Sequence, residues 1–234
     1  MYKLILLILT SNINLTTAKS KYYYDRRIHN FGNIGLGGQV HSLLAPYATK
    51  LIDDKCYNSV NIRQAILSSY NHNFYNNYER LPKLIDLCCG TGTSTYPGQL
   101  GIDSSEQMLR IAQKNNKNKQ FIKNNAENYG QPQEFDTATL MFAFHEMPNY
   151  AHHKIIKNAK KITKHDIIIV DISPNYSPSK LMLSGEPYLL NYKATIQQLL
   201  TDHQFNYVEY IKNHVGLWTF SHNNNNLNSL FNHK

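Results

Sequence analysis

The chain has 234 residues and a mass of 27.0 kDa, enough for one domain with a substantial core but too little for two full catalytic domains. Hydrophobic residues make up 41% and charged residues 17%, which excludes a largely disordered chain. The net charge of +8 raises nucleic acid or a membrane as partners, but the lysines cluster on predicted outer helix faces, where solvated charge explains them. Three cysteines cannot form a disulfide framework, and no apolar run is long enough for a transmembrane helix.

The two ends of the chain differ from its middle. Residues 1–20 combine Lys3, the apolar run 4–9 and the small residues Thr16 and Ala18, the layout of a signal or targeting segment. This layout predicts secretory or organelle targeting. The alternative is a first hydrophobic strand or helix, in which case a cytoplasmic location is expected. Residues 221–234 are rich in asparagine and are predicted to form a disordered tail.

Between these ends, strand-like and helix-like segments alternate. Strands are predicted at 84–88, 100–103, 121–122, 135–144 and 166–171, and helices at 104–112, 152–164 and 194–203. Only a turn around Asn213 separates the last two strand-like runs, 207–211 and 216–220, so these are expected to pair as an antiparallel hairpin. The alternation predicts an α/β fold with a doubly wound, mostly parallel sheet over residues 82–220, and an N-terminal helical lid over residues 21–81.

Two strand ends carry the pattern of a nucleoside-binding site. In a doubly wound sheet, ligands bind beyond the carboxyl ends of the strands. The first strand runs into residues 86–93, where Gly90 and Gly92 permit a sharp turn and close approach of a ligand. The second strand ends in Asp103, whose carboxylate can accept hydrogen bonds from both hydroxyls of a ribose. The pattern indicates a nucleoside-bearing ligand with no phosphate at the glycine loop.

These residues resemble a known family. Residues 84–92 and 101–109 are similar to the first and second signatures of the class I S-adenosylmethionine-dependent methyltransferases. Residues 125–127 resemble the family's turn after the third strand, and residues 135–146 resemble the fourth strand, which passes the methyl group. The resemblance implies a seven-stranded Rossmann-like sheet and S-adenosylmethionine as cofactor. The sequence departs from the family in the short span between Gly92 and Asp103, which predicts a very short first helix.

The resemblance also assigns residues to the cofactor: Asp86, Cys88, Gly90, Gly92, Asp103, Ser104, Met108, Ala126, Glu127 and Phe142. The first four belong to the loop around the methionine part, and the next three lie at the ribose and adenine. Ala126 and Glu127 would lie near the adenine amino group, and Phe142 would form the floor under the sulfonium. Purely structural roles stay open as alternatives: Met108 and Cys88 could be core residues, and Asp103 could be a helix cap.

His145 is the best candidate for a catalytic base, with Glu146 beside it at the exit of the fourth strand. Histidine titrates near neutral pH, and methyl transfer to a protic group needs a proton acceptor. The alternative is that both residues only begin the following loop and helix. Asp171, Tyr176 and Tyr188 are second-tier candidates. No metal is expected, because His145-Glu146 is not followed by a second histidine at ligand spacing.

The acceptor is predicted to be a small or lipid-like molecule. Residues 173–192 contain three prolines and are predicted to form an irregular flap over it. Aromatic and basic residues would close the other side: Tyr22, Tyr23, Tyr24, Arg26, Arg27 and His29. Nucleic acid is not expected as the acceptor, because the chain has no length for a module that reads it. A non-catalytic cofactor-binding module and an RNA methyltransferase stay open as alternatives.

Overall fold

The computed structural model describes residues 21–223 and 227–231, and the predicted targeting segment 1–20 lies outside the described residues. A seven-stranded sheet lies at the centre of this part of the chain: β1 (Leu84–Leu87), β2 (Leu100–Asp103), β3 (Gln120–Lys123), β4 (Phe135–Met141), β5 (Thr163–Ile172), β6 (Asn206–Ile211) and β7 (Val215–Ser221). The helices around it are α1 (Gly35–Cys56), α2 (Ile62–Tyr78), α3 (Glu106–Asn115), α4 (Asn149–Ile162), α5 (Lys180–Gly185) and α6 (Leu189–Asp202).

The strand order is β3-β2-β1-β4-β5-β7-β6. Strands β1 to β5 pair in parallel, whereas β7 runs antiparallel to both β5 and β6. This arrangement confirms the predicted doubly wound sheet with its antiparallel C-terminal hairpin. The chain moves outward from β1 to β3 and then returns to β4, so the order reverses between β1 and β4. In folds of this type the ligand crevice lies at the carboxyl ends of the strands at that reversal.

Helices cover both faces of the sheet. Buried side chains of α4 and α6 pack on one face, and those of α2 pack on the other. The second face is also covered by residues 227–231, where Leu227 and Phe231 are buried. The structure therefore differs from the predicted disordered tail at these residues, because two apolar side chains find a place beside α2 that the asparagine-rich sequence around them does not indicate.

The segment before β1 is largely helical. It comprises α1, α2 and two 3₁₀ turns, Tyr22–Tyr24 and Ile28–Asn30. At the other predicted covering segment, residues 173–192, the chain is less irregular than predicted, because it contains α5 and the first turn of α6. Over the described residues, no helix combines the length and the hydropathy that a membrane span requires.

The connection from β1 to β2 contains no helix. Residues 88–99 form a series of turns, so the prediction of a very short first helix is wrong. Their carbonyl groups have no helical N–H groups as hydrogen-bond donors, and side chains from other parts of the chain donate to them instead. The Gln64 Nε2 amide donates to the Thr93 carbonyl at 3.2 Å, and Lys119 Nζ donates to the Gly92 carbonyl at 3.1 Å. A loop of this kind can be as ordered as a helix, because its polar groups are bonded.

Asp86 anchors the same connection to the sheet. Its carboxylate is fully buried and accepts hydrogen bonds from Ser94 Oγ at 2.8 Å, Thr95 Oγ1 at 2.7 Å and Thr139 Oγ1 at 3.1 Å. Burial raises the pKa of Asp86, while the three hydroxyl donors favour its charged form and oppose that shift. One carboxylate thus joins β1, β4 and the helix-free connection.

We expect Asp86→Ala to lower the free energy of unfolding by about 3 kcal/mol, because three buried hydroxyls lose their acceptor. Urea denaturation followed by circular dichroism measures the change. The control is Asp54→Ala, which removes an exposed carboxylate from α1. Equal stability of the two variants would contradict the anchoring role of Asp86.

Candidate active site

A cavity of about 710 Å³ lies at the carboxyl ends of β1, β2 and β4. The sheet side of its wall comes from the residues that follow these strands, and the opposite side comes from the N-terminal segment and from α5. This volume is in the range of sites for cofactors and drug-sized ligands. The cavity therefore occupies the crevice that the strand order predicts.

Nine of the predicted site residues line this cavity: Cys88, Gly90, Asp103, Ser104, Met108, Ala126, Phe142, His145 and Glu146. The other three do not. Asp86 lies below the glycine loop, where it bonds the connection to β2. A Cβ on Gly92 would lie 2.6 Å from the Phe121 ring, so the absence of a side chain there serves packing. Glu127 lies with its carboxylate 3.4 Å from Lys154 Nζ.

Asp103 and Gly90 form the polar end of the cavity. The Gly90 amide donates to Asp103 Oδ2 and the Ser105 amide donates to Oδ1, each at 2.8 Å. Burial raises the pKa of Asp103 to about 6, against the effect of these two donors. A carboxylate has about four acceptor positions, so both oxygens keep capacity for ligand hydroxyls. Gly90 has a φ of +53°, and a Cβ there would meet nothing within 4 Å, so its backbone faces open space.

The turn that follows β4 places His145 in the cavity wall. Residues Phe144–Glu146 form a 3₁₀ turn, and Asp171 Oδ2 accepts the amides of Phe144 at 2.8 Å and of His145 at 3.3 Å. His152 Nε2 donates to the Phe144 carbonyl at 2.8 Å and fixes the turn from the α4 side. The position of His145 is thus set by buried hydrogen bonds and does not depend on loop flexibility.

His145 and Asp171 form a buried pair. The His145 ring nitrogen Nδ1 lies 2.6 Å from Asp171 Oδ1, and both side chains are almost fully buried. Burial alone lowers the pKa of His145, but the charge and hydrogen bond of Asp171 outweigh it and raise that pKa to about 9. Within the described part of the chain, Nε2 of His145 has no hydrogen-bond partner, so this nitrogen is available to a ligand.

A second histidine, His29, bridges two carboxylates across the cavity. Its Nε2 lies 2.9 Å from Glu146 Oε1, and its Nδ1 lies 3.0 Å from Glu186 Oε1. Burial alone would lower the pKa of His29, but the two carboxylates outweigh it and raise that pKa to about 11. The positive charge of His29 in turn lowers the pKa of Glu146 against the effect of burial. The bridge ties the N-terminal turn Ile28–Asn30 to the turn after β4.

Sequence reasoning missed Glu186 and Arg63, which both line the cavity. Arg63 pairs with Asp53 at 3.0 Å, and its guanidinium lies 4.4 Å from the centre of the Phe142 ring. The predicted flap contains Glu186, so that position was indicated only as part of a segment. Arg63 sits in α2 with no sequence signal for a site. No group of three or more metal-ligating side chains is found among residues 21–223 and 227–231.

The two tyrosines predicted as secondary catalytic candidates, Tyr176 and Tyr188, lie in different places. Tyr176 lines the cavity, whereas Tyr188 does not, and its hydroxyl donates to Asp25 Oδ2 at 2.9 Å. Among the aromatic and basic residues expected to close the other side, Tyr22, Tyr23 and His29 line the cavity. Arg27 instead pairs with Asp25 and is exposed.

Residues 84–166, from β1 into β5, match the family described as "Methyltransferase domain". This match identifies a methyltransferase domain within the chain and supports the predicted resemblance to the class I S-adenosylmethionine-dependent methyltransferases. A search of curated proteins finds no match. The solved structure of the plantazolicin methyltransferase BamL, in complex with a triazolic desmethylPZN analog and SAH, is 17% identical with a TM-score of 0.52. It covers 78% of this chain and 94% of BamL.

A second plantazolicin methyltransferase, BpumL, also solved with a triazolic desmethylPZN analog and SAH, is 16% identical with a TM-score of 0.50. The alignment covers 78% of this chain and 94% of BpumL. At these identities the likeness concerns the fold. It agrees with the seven-stranded Rossmann-like sheet predicted from the sequence.

The cavity residues of this methyltransferase fit S-adenosylmethionine. Asp103 offers a carboxylate to ribose hydroxyls, and the open backbone at Gly90 leaves room for the methionine part. Met108 and Ala126 offer an apolar surface to the adenine ring, and Asn125 beside them adds polar groups. Asn158 Nδ2 fixes this turn by donating to the Ala126 carbonyl at 2.9 Å. The donor set is that of a nucleoside site without phosphate.

We expect Asp103→Asn to weaken S-adenosylmethionine binding by about 10- to 100-fold, because hydrogen bonds to a charged acceptor are lost. Affinity of the unchanged protein should also fall as pH drops through about 6, since protonated Asp103 is a poorer acceptor. Calorimetry between pH 5 and pH 8 measures both effects, with Asp54→Asn as the exposed control. Unchanged affinity in Asp103→Asn would place the ribose elsewhere.

Proposed function

We propose that this methyltransferase transfers the methyl group of S-adenosylmethionine to a protic group on a small, largely apolar acceptor, with His145 as the proton acceptor. The buried His145–Asp171 pair in the cavity wall is the observation that supports the proposal most directly. The bound cofactor supplies an electrophilic methyl group on a sulfonium, so the protein has to position the acceptor and accept its proton.

The wall around His145 favours an apolar acceptor. Apolar side chains from the sheet, from α1, from α5 and from the loops after β4 and β5 line the same cavity: Leu44, Met141, Met147, Ile172, Tyr176 and Met182. A wall of this composition binds by burial of apolar surface and leaves orientation to a few polar groups. This supports a small aromatic or lipid-like molecule.

The His145–Asp171 geometry is that of an oriented base. Asp171 Oδ1 accepts a hydrogen bond from the Nδ1–H group of His145, which leaves Nε2 as the nitrogen available to a ligand. With a pKa raised to about 9, His145 is mainly protonated at neutral pH when no ligand is bound. His145 loses part of this shift when a second cation occupies the same cavity, because like charges disfavour the protonated ring. Base strength is therefore linked to cofactor binding.

Glu186 adds a polar group for acceptor orientation. Its Oε2 atom is buried and has no hydrogen-bond partner among the described residues, although its Oε1 contacts His29. A buried carboxylate oxygen without a donor is unfavourable, and a hydroxyl or N–H group of a ligand would satisfy it. This supports an acceptor that carries a hydrogen-bond donor besides its apolar body.

Nuclear magnetic resonance titration of the His145 ring tests the proposed link without knowledge of the acceptor. We expect a pKa of about 9 in the free protein and a lower value with S-adenosylmethionine bound. S-adenosylhomocysteine lacks the sulfonium charge and should lower the pKa less, which makes it the matched control ligand. Asp171→Asn should lower the pKa in the free protein, because the neighbouring negative charge is removed. Equal shifts with both ligands would place the sulfonium away from His145.

Methyl transfer itself can be followed with methyl-labelled S-adenosylmethionine and a mixture of extracted small molecules. We expect the label in an organic-soluble product, and a loss of about 10²- to 10⁴-fold in its rate of formation with His145→Ala. His72→Ala, which changes an exposed histidine of α2, serves as control. Label in RNA would favour the nucleic-acid alternative. Cofactor binding without any labelled product across broad mixtures would favour a non-catalytic module.

A further inference from the structure

Helix α1 has its polarity reversed relative to an ordinary surface helix. Its buried residues are small or polar: Gly38, His41, Ser42 and Asp53. Its large apolar residues are exposed instead: Leu36, Val40, Leu43, Leu44, Tyr47 and Leu51. These positions recur at intervals of three and four, so they share one face and form a continuous stripe. Leu36 is 81% exposed and Tyr47 is 75% exposed, so the stripe is open to its surroundings.

The orientation of α1 is fixed, so rotation of the helix cannot bury this stripe. A Cβ on Gly37 would lie 1.9 Å from the Phe31 carbonyl oxygen, and one on Gly38 would lie 2.6 Å from the Asn33 backbone. Near the other end of the helix, Asp53 pairs with the buried Arg63 of α2 at 3.0 Å. Only small or paired residues can occupy the inner face, and the apolar stripe has to point outward.

The stripe continues into the mouth of the cavity. Leu44 belongs to both the stripe and the cavity wall, and Ile52 of α1 lines the wall beside it. Leu181 of α5, 80% exposed, and Phe31, 43% exposed, lie in the same wall. Monomeric soluble proteins rarely expose contiguous apolar patches of this kind, and such patches mark partner or membrane surfaces. The apolar surface thus extends from the outside of the protein to the site.

Exposed basic residues accompany the stripe. Arg26, Lys55 and Lys180 are exposed and form no ion pair with the described residues. Arg26 lies just before the turn Ile28–Asn30, Lys55 lies in the last turn of α1, and Lys180 is the first residue of α5, next to Leu181. The acids in the same segments, Asp25 and Asp54, are already paired with Arg27 and Lys50. A symmetric second copy would bring like charges together across its two-fold axis, whereas an anionic lipid surface would complement them.

The described part of the chain begins beside the cavity. The apolar run 4–9 leads to Lys21, which is followed at once by Tyr22 and Tyr23 in the cavity wall. Stable attachment of a peripheral protein to a bilayer requires two signals. The chain offers an apolar run in its sequence and, in the described structure, an apolar stripe adjacent to the cavity.

We propose that the α1 stripe docks this methyltransferase on the surface of an anionic lipid bilayer. Leu36, Leu43 and Tyr47 enter the boundary between head groups and acyl chains, and the nearby basic residues contact the anionic head groups. The cavity mouth then opens toward the lipid, which gives an apolar acceptor a route that avoids water. This last consequence rests on the proposed function, whereas docking itself does not.

Vesicle co-sedimentation of the full chain tests the docking. We expect the protein to bind vesicles of phosphatidylcholine with phosphatidylserine, to bind vesicles of phosphatidylcholine alone more weakly, and to be released from the anionic vesicles by salt. The double variant Leu43→Ser with Tyr47→Ser should bind at least tenfold more weakly, because the apolar contact is lost. The matched control changes exposed apolar residues on other helices, Tyr75→Ser on α2 and Leu190→Ser on α6, and should bind like the unchanged chain.

Several results would overturn the proposal. Equal vesicle binding by the unchanged chain and the α1 variant would show that the stripe takes no part in it. Equal binding to neutral and anionic vesicles would remove the anionic surface as the occupant. Absence of vesicle binding, together with self-association in analytical ultracentrifugation that the α1 variant abolishes, would identify a second copy as the occupant. Both altered residues are exposed, so the variant should keep its fold, which circular dichroism checks.

Discussion

Buried carboxylates hold the loops at the ends of three parallel strands. A chain that leaves a strand inside the protein has polar groups that need partners away from water, and a crossover helix usually supplies many of them. Here Asp86 binds hydroxyls of the helix-free connection, Asp103 binds the amides of Gly90 and Ser105, and Asp171 binds those of Phe144 and His145. These three acids thus hold in place the loops that line the cavity.

The same anchoring makes the candidate base a fixed group. Asp171 uses one oxygen for the amides of the turn after β4 and the other for the His145 ring, so position and charge of the ring come from a single side chain. His29 then joins this turn to the N-terminal segment through Glu146 and to the residue after α5 through Glu186. The N-terminal segment, the residue after α5 and the turn after β4 meet at this one ionic cluster. A displacement of the turn would therefore be transmitted to both of the other segments.

The type of sheet, its C-terminal hairpin and the position of the cavity were predictable, because buried strands and the motif at β1 and β2 are local patterns. Asp86 and Gly92 were predicted to bind the cofactor, but neither residue lines the cavity. Both residues belong to the signature. The Asp86 carboxylate is occupied by the hydroxyls of Ser94 and Thr95 in the helix-free connection, and Gly92 lacks a side chain because it packs closely on the Phe121 ring. The sequence indicated Glu186 only as part of the predicted flap, because its partner His29 is distant in the chain and contacts it only through tertiary packing.

The charge in the cavity runs opposite to the charge of the chain. The chain carries +8, yet the site holds the carboxylates of Asp103, Glu146 and Glu186, with Asp171 behind the wall, against the cations of His29 and His145. The third cation of the wall, Arg63, is already paired with Asp53. His41, the remaining histidine at the bridge, has its pKa lowered by burial and by the charge of His29, so it stays neutral. Carboxylates therefore outnumber cations where a cationic sulfonium cofactor would bind, while exposed cations are left for the outer surface. The basic composition thus describes the outside of this methyltransferase, and the acidic site inside it fits the cofactor.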